Sequence, residues 1–356
     1  MAKKIEIACC LALKNEALVY NYLMPLARHP LVSRLWIIRS HPCGYGDIPK
    51  STYLLTSAEF KPVRWLQMLF QCLRLARRPE VRAFVSFNPL PYGLISSGAA
   101  GCFNTPVHFG FIGSDWYRDA QGFFGRLLRP LLKQASFYTA TGDSMRSDLI
   151  RCGFDPQAVA VLPHCIDLER YPVSDPDQAA YACIFVGQLI RRKRVDLILD
   201  AFAKVLTAHP HEKLCIVGDG PLKRELIRLS ETLGIRQAVD FVGYTGSVQE
   251  YFARAKIVII ASYREGLPFA LIEGICCGNV PVSTPAGTIT DLIKDGENGL
   301  LFPEGDTEAL AACLCRLLDD RDVYSRLRTN ALKLRAQFSY EGATAVWDAW
   351  FKQMEQ

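Results

Sequence analysis

The fold class predicted by this sequence is α/β, with two doubly wound parallel sheets. Three observations predict it. Apolar runs of strand length alternate with helical stretches from residue 5 to about 170, and the same rhythm restarts after residue 180. Glycines follow the apolar runs of the second half, at 187, 218, 220, 243 and 287. Strands separated by helices pair in parallel, since each crossover returns the chain to the end of the sheet from which it left. At 356 residues, half of them hydrophobic, the chain is long for one core, and two domains are expected.

In the first half the strands are IEIACCLAL (5–13), RLWIIRS (34–40), VRAFVSF (81–87) and VHFGFI (107–112). Helices are expected near 16–28, near 62–77 and, rich in small residues, near 91–101. The segment KPVRWLQMLFQCLRLARR (61–78) sets Arg64, Gln67, Gln71, Arg74 and Arg78 on one stripe and is one of two candidates for an interfacial helix, but it sits where a crossover helix belongs, so packing on the sheet is its expected role. GFFGRLLRPLLKQ (122–134) sets Phe123, Phe124, Leu127, Leu128, Leu131 and Leu132 against Arg126, Arg129 and Lys133, with no acidic residue from 120 to 142. That pattern predicts an interfacial amphipathic helix.

ERYPVSDPDQ (169–178), with two prolines and several acidic residues, reads as a linker, so the domains are expected at 1–172 and 173–338. Beyond it come CIFVGQL, a helix near 195–208, KLCIVGDG, a helix near 221–233, VDFVGY, a short helix near 247–254, KIVIIAS, a helix near 268–278, and VPVSTP. Helical stretches then run from 307 to 334. A last helix at 339–356, with Trp347, Trp350 and Phe351 at helical spacing, is expected to pack back toward the N-terminal domain through those aromatics.

Thirteen cysteines, an odd number without paired C-x-x-C spacing, fall mostly inside apolar runs. They argue against a disulfide framework or a zinc site and for buried thiols in a reducing compartment, hence cytoplasmic residence. The N-terminal apolar stretch is too short for a secretory signal, and prolines and glycines interrupt the charge-free tract 83–114, which excludes a spanning helix there. Residues 1–172 hold 20 Lys and Arg against 12 Asp and Glu, a balance of +8, whereas 173–356 hold 21 against 24, a balance of −3. The basic half points to an anionic surface, with lipid head groups favoured over nucleic acid.

Glu265 and Glu273, in SYREGLPFALIEGICCG, straddle a strand-to-helix junction. Gly266 permits a sharp turn and Pro268 suits the first helical position. The junction leaves backbone N–H groups unpaired at the positive end of a helix, a seat for a diphosphate, and two carboxylates beside it suit sugar hydroxyls. Two solvated surface glutamates are the ordinary alternative for such a pair.

The ordered series FVGQLIRRKRVDLILDAF, IVGDGPLKRELIRLSETLG, VDFVGY, SYREGLPFALIEGICCGNVPVSTPAG and DLIKDGENGLLFPEGD resembles the retaining glycosyltransferases of family 4. SFNPLPYGL, GSD, TGDSMRSDLIRCGF and VLPHCIDLERY match more thinly in the N-terminal half. The resemblance implies the GT-B arrangement of two facing Rossmann-like domains and a nucleotide-sugar donor (UDP-, GDP- or ADP-sugar) held by the C-terminal one, with no metal or other cofactor. It implies that Lys193 pairs with the donor diphosphate, reinforced by Arg192, that Glu265 of the E-x(7)-E motif lies near the transferred sugar, and that Glu273 accepts from ribose hydroxyls. Gly187, Gly218, Gly220, Tyr244 and the backbone of Leu267, Phe269 and Ala270 complete the implied nucleotide contacts.

The chain departs from the family at several positions. Gln188 stands where an arginine is common, so Arg192 or Arg191 substitutes. Ile112 stands where a histidine often precedes Gly-Ser-Asp; His108 lies four residues earlier, and Asp115 becomes the acceptor-side candidate. Asn15 and Glu16 replace a glycine-rich loop, Asn15 either facing the cleft or capping a helix. His164 and Cys165 are read as loop variation. Asp175 and Asp177 mimic a metal-binding D-x-D, but within the linker and around a proline.

The function implied is retaining transfer of a hexose to a lipid-linked or cell-envelope saccharide, at the cytoplasmic face of the inner membrane, with residues 122–134 on an anionic surface. A nucleotide-sugar epimerase and a non-catalytic nucleotide-sugar-binding relative are the alternatives.

Overall fold

The computed structural model describes residues 4–11, 13, 16–87, 89–113, 116 and 123–354, Phe123 and Phe124 by backbone alone. The chain forms two compact units, one of Met1–Cys165 with Ser339–Gln356 and one of Ile166–Phe338. The division falls just ahead of the proline-bearing segment 169–178.

The first unit carries strands β1 (Ile5–Cys10), β2 (Val32–Arg39), β3 (Ser51–Leu55), β4 (Val81–Phe87), β5 (Val107–Phe111), β6 (Phe137–Ala140) and β7 (Val159–Val161). All pair in parallel in the order β3-β2-β1-β4-β5-β6-β7. Successive residues of β1 point to opposite faces, Ile7 and Cys9 to one core, Ala8 and Cys10 to the other. Helix α1 (Glu16–Arg28) covers the first face together with the C-terminal helix α13 (Tyr340–Met354). Trp347 and Trp350 are fully buried there, Trp350 stacked on Phe137 at 5.5 Å. The opposite face is covered by α2 (Lys61–Ala76), α3 (Leu94–Gly101), α4 (Phe123–Leu132) and α5 (Asp143–Arg151).

Helix α2 packs on the sheet as expected, but through one narrow stripe. It buries only Met68, Cys72, Leu75 and Ala76, while Phe60, Val63, Trp65, Leu66 and Phe70 are exposed. The reason lies in the sequence: at roughly 100° per residue, Val63, Leu66 and Phe70 point away from the buried stripe, so the helix is apolar on two opposite faces. Helix α4 splits its expected apolar face as well. Leu132 enters the core, Leu128 is half-buried, and Leu127 and Leu131 face solvent. Gly122 lies outside the described residues. Among the described residues no helix is long and apolar enough to cross a membrane.

The second unit carries β8 (Tyr181–Val186), β9 (Leu214–Val217), β10 (Val239–Gly243), β11 (Ala255–Ile260), β12 (Val280–Ser283) and β13 (Leu300–Leu301), parallel in the order β10-β9-β8-β11-β12-β13. Helices α6 (Val195–Ala208), α7 (Lys223–Thr232), α8 (Val248–Phe252), α9 (Phe269–Cys277), α10 (Ile289–Leu292), α11 (Thr307–Asp319) and α12 (Arg321–Leu332) cover its faces. The chain winds outward from β8 to β10 and then returns to β11 beside β8. The order therefore reverses between β8 and β11, and at such a switch point the loops beyond the carboxyl ends diverge to leave a crevice.

Removing a large buried aromatic leaves a cavity that the packed sheet closes only in part. Trp347→Ala is therefore expected to cost about 3–5 kcal/mol of stability, read by urea denaturation at constant m-value.

Candidate active site

Two loops flank the switch point. The chain leaving β8 passes Gly187 and forms a single 3₁₀ turn, Arg191–Lys193, before Arg194 takes the left-handed conformation (φ 50°) that starts α6. The chain leaving β11 runs through Tyr263 to Pro268 into α9. Lys193 Nζ donates to Glu265 Oε1 at 2.6 Å, and Arg192 Nη1 stands 3.1 Å from Glu265 Oε2. Arg192 also donates to the Arg264 carbonyl at 2.7 Å, and its own carbonyl accepts from the Tyr263 amide. Only 8% of the Glu265 side chain is exposed, against 14% for Lys193 and 35% for Arg192. Of the two arginines offered by the sequence, Arg192 joins this cluster; Arg191 and Gln188 are exposed.

Backbone, more than side chains, sets the geometry of these loops. Gly218 has φ +137°, and a Cβ there would lie 1.9 Å from the Gly187 carbonyl oxygen. A Cβ on Gly220 would meet the Leu189 carbonyl oxygen at 2.5 Å. The turns after β8, β9 and β10 are joined by Gly187 N–H to Val217 O, Leu189 N–H to Asp219 O and Gly218 N–H to Gly243 O. The Glu265 loop is held in the same way: Thr288 N–H donates to Gly266 O, and a Cβ on Gly287 would meet Glu265 O at 2.1 Å. Tyr244 follows Gly243 and is 85% exposed.

Pro268 is the N-cap of α9, with extended φ and ψ, and not its first helical residue; the helix starts at Phe269. Leu267 is buried, and Phe269 and Ala270 are half-buried at that end. Gly274 lets α9 lie against Val258 of β11, and Gly278 ends the helix in the left-handed conformation while Asn279 N–H closes onto Gly274 O.

Glu273 lies on α9 and accepts a hydrogen bond from Tyr171 Oη at 2.7 Å. Burial pushes its carboxyl up to about 7, against which the Tyr171 hydrogen bond works only in part. Arg335 fixes the Tyr171 segment by donating to the carbonyls of Leu168 and Tyr171. Sequence reasoning missed Tyr171, which stands within the acidic, proline-bearing stretch read as a linker; the tyrosine closing VLPHCIDLERY was the signal available.

In the first unit, Asp115 and Asn15 lie outside the described residues. Glu16 opens α1 and takes the fork of buried Arg39 at 2.8 and 3.0 Å, with His41 and the Gly44 amide. Burial acts to raise its pKa, but these partners carry it down to about 2. His108 is fully buried, its Nε2 2.9 Å from Thr139 Oγ1 and its ring edge-on to Trp347. Burial lowers its pKa to about 3, which makes it a neutral core residue. Asp175 and Asp177 are occupied locally, Asp175 by the Asp177 amide and Gln178, and Asp177 by Arg321.

Two outcomes follow from this geometry. Gly218→Ala is expected to destabilise by about 2–4 kcal/mol in thermal or urea unfolding, combining the positive φ with a backbone clash. For Glu273, the fold retains a proton that the unfolded chain releases near 4.5, so its contribution is complete below that pH and is lost as pH rises to about 7. The stability of the wild type relative to Glu273→Gln is therefore expected to fall across that window and level off above it.

Residues 173–334 match the family model of glycosyl transferases group 1. The chain is 32% identical over 169 residues to an exopolysaccharide phosphotransferase of Streptomyces coelicolor, covering 47% of this chain and 18% of that protein. It is also 32% identical over 166 residues to a GalNAc-alpha-(1->4)-GalNAc-alpha-(1->3)-diNAcBac-PP-undecaprenol alpha-1,4-N-acetyl-D-galactosaminyltransferase of Campylobacter jejuni, covering 46% of each chain. The chain thus spans about half or less of the length of these curated relatives. Among solved structures, Anabaena Alr3699/HepE in complex with UDP superposes with a TM-score of 0.80 at 16% identity, over 98% of this chain and 100% of that one. The chain has the two-Rossmann-domain fold of the GT-B glycosyltransferases, and its segment 173–334 matches the group 1 family among them.

Proposed function

We propose that this chain is a retaining glycosyltransferase of family 4 that moves a hexose from a nucleotide-diphosphate sugar to a lipid-linked or cell-envelope saccharide. The observation that carries the reading is the Glu265 carboxylate shared by Lys193 and Arg192 at the β8/β11 switch point, one turn ahead of the N-terminus of α9. Two cations beside a helix N-terminus suit a diphosphate, and a carboxylate among them suits the sugar it carries. In this reading the donor diphosphate takes over Lys193 and Arg192, which frees Glu265 to face the sugar. Glu273, presented by Tyr171, accepts from the ribose hydroxyls, and exposed Tyr244 and the glycine turns border the nucleotide.

The reaction follows from these roles. The bond from the anomeric carbon to the diphosphate oxygen breaks, the acceptor hydroxyl oxygen bonds to that carbon on the same face, and the hydroxyl proton passes to the departing diphosphate. Lys193 and Arg192 stabilise the charge that grows on the leaving group. No metal or further cofactor enters the scheme. UDP-sugars are the first donors to test, since the structures of Anabaena HepE carry UDP and UDP-glucose. The acceptor class rests on relatives named for undecaprenol-linked and lipopolysaccharide-core substrates. Asp115 is the acceptor-side candidate. Residues 122–134 contact an anionic membrane, Leu127 and Leu131 entering it, at the cytoplasmic face of the inner membrane.

Transfer assayed with a panel of UDP-, GDP- and ADP-sugars and envelope glycolipid extracts tests the reading. Lys193→Ala and Glu265→Ala are each expected to lower kcat by about 10²–10³, as loss of one group aimed at the developing charge does. Turnover unchanged in both variants would refute the site.

A further inference from the structure

The Glu265 carboxylate occupies the same two cations that a donor diphosphate would use. Lys193 Nζ lies 2.6 Å from its Oε1 and Arg192 Nη1 3.1 Å from its Oε2, so each oxygen already has a cationic partner. An arriving diphosphate therefore does not fill an open basic site. It displaces an internal anion, and what becomes of that anion decides which ligand is held.

The backbone gives the carboxylate little room to withdraw. Gly287 packs so close behind the Glu265 carbonyl that a Cβ there would stand 2.1 Å from its oxygen, and Thr288 N–H holds Gly266 O at 3.2 Å. On the other side Arg192 donates to the Arg264 carbonyl and accepts from Tyr263 N–H. Only the side chain is left to turn, and with 8% of it exposed, water reaches it poorly.

A carboxylate that loses its cations without gaining other donors becomes a buried, unpaired charge, which weighs against the complex. The hydroxyls of a sugar carried on the diphosphate are such donors. A nucleoside diphosphate without a sugar brings none. Its terminal phosphate, a monoester that gives up its second proton at about pH 6, also sets about one further negative charge beside Glu265 at neutral pH. Two cations alone would favour that more highly charged ligand, and the carboxylate opposes the preference.

We propose that Glu265 is the group by which this site tells a sugar-bearing donor from the bare nucleoside diphosphate, reclaiming Lys193 and Arg192 once the sugar has gone and so expelling the product. The inference rests on the donor reading above and adds to it the selection between substrate and product.

Titration calorimetry of the full chain with UDP, GDP, ADP, UDP-glucose, GDP-mannose and ADP-glucose tests it, with Glu265→Gln as the variant that keeps the shape of the side chain and removes its charge. For the base that binds, the wild type is expected to hold the sugar ester at least as tightly as the bare diphosphate. Glu265→Gln is expected to tighten the bare diphosphate by about tenfold or more, while the sugar ester gains less than about threefold or weakens. Inorganic diphosphate, which carries neither base nor sugar, should follow the bare nucleotide. A glutamate that only contacted the sugar would leave the bare diphosphate unchanged in the variant, and that result, or weaker binding, would overturn the proposal. So would a wild type that binds the bare diphosphate about tenfold or more above its sugar ester, a comparison that needs no variant to fold. Binding of no nucleotide, with or without a sugar, would remove the donor reading and this inference together. The expected shift in a protein that transfers sugar to no acceptor would uphold the discrimination while removing the transferase reading.

Discussion

The Glu265 carboxylate, shared between Lys193 and Arg192, ties together the loops that leave two neighbouring strands. Taking these charges partly out of water costs free energy that their mutual attraction and hydrogen bonds must offset. The cluster keeps a net positive charge, one cation more than its carboxylate neutralises. It therefore remains attractive to an anion while the loops stay ordered. Arg192 strengthens the tie by bonding to two adjacent residues of the β11 loop: its guanidinium donates to the Arg264 carbonyl and its own carbonyl accepts from the Tyr263 amide. Gln188 is exposed and uncharged, and the turn that follows it brings Arg192 beside Lys193 on the same carboxylate.

Those loops stand so close only because their backbones touch. The turns after β8, β9 and β10 are hydrogen-bonded into a stack, and Gly218 and Gly220 lie where any side chain would strike the neighbouring chain. Glycine at these positions is first a packing requirement. The exposed rim at Tyr244 follows from the same stack, because the Gly243 carbonyl just ahead of it accepts from Gly218 N–H.

The first unit spends its polar chemistry internally. Buried Arg39 is answered by Glu16, which sets the start of α1, and His108 is held neutral among aromatic rings. Its unusual feature is α2, whose core contacts come from small and flexible residues while its bulkiest side chains face outward. The apolar pattern of that segment is strong enough to announce a helix, and a pattern apolar on two faces does not say which face the sheet will take.

The sequence by itself determined the alternation of strands and helices, the pairing of both sheets in parallel, and the long elements. Helix α1 at 16–28, β4 at 81–87 and α6 at 195–208 have the bounds that periodicity and flanking residues imply. Glycine turns and a strand-to-helix junction are local signals that set Lys193, Glu265 and Glu273 at or just beyond strand ends, and it was the resemblance of the ordered motifs that joined them into one constellation. Short strands such as β3, β6, β7 and β13 escaped sequence reading, because two to five residues carry too little periodicity to separate a strand from a loop. Only the tertiary structure decided that Arg192 and not Arg191 meets Glu265, that Tyr171 presents Glu273, and that α2 turns its aromatic face to the outside. Each of these depends on groups distant in sequence being brought to within hydrogen-bonding or packing distance, and a one-dimensional pattern holds no record of that.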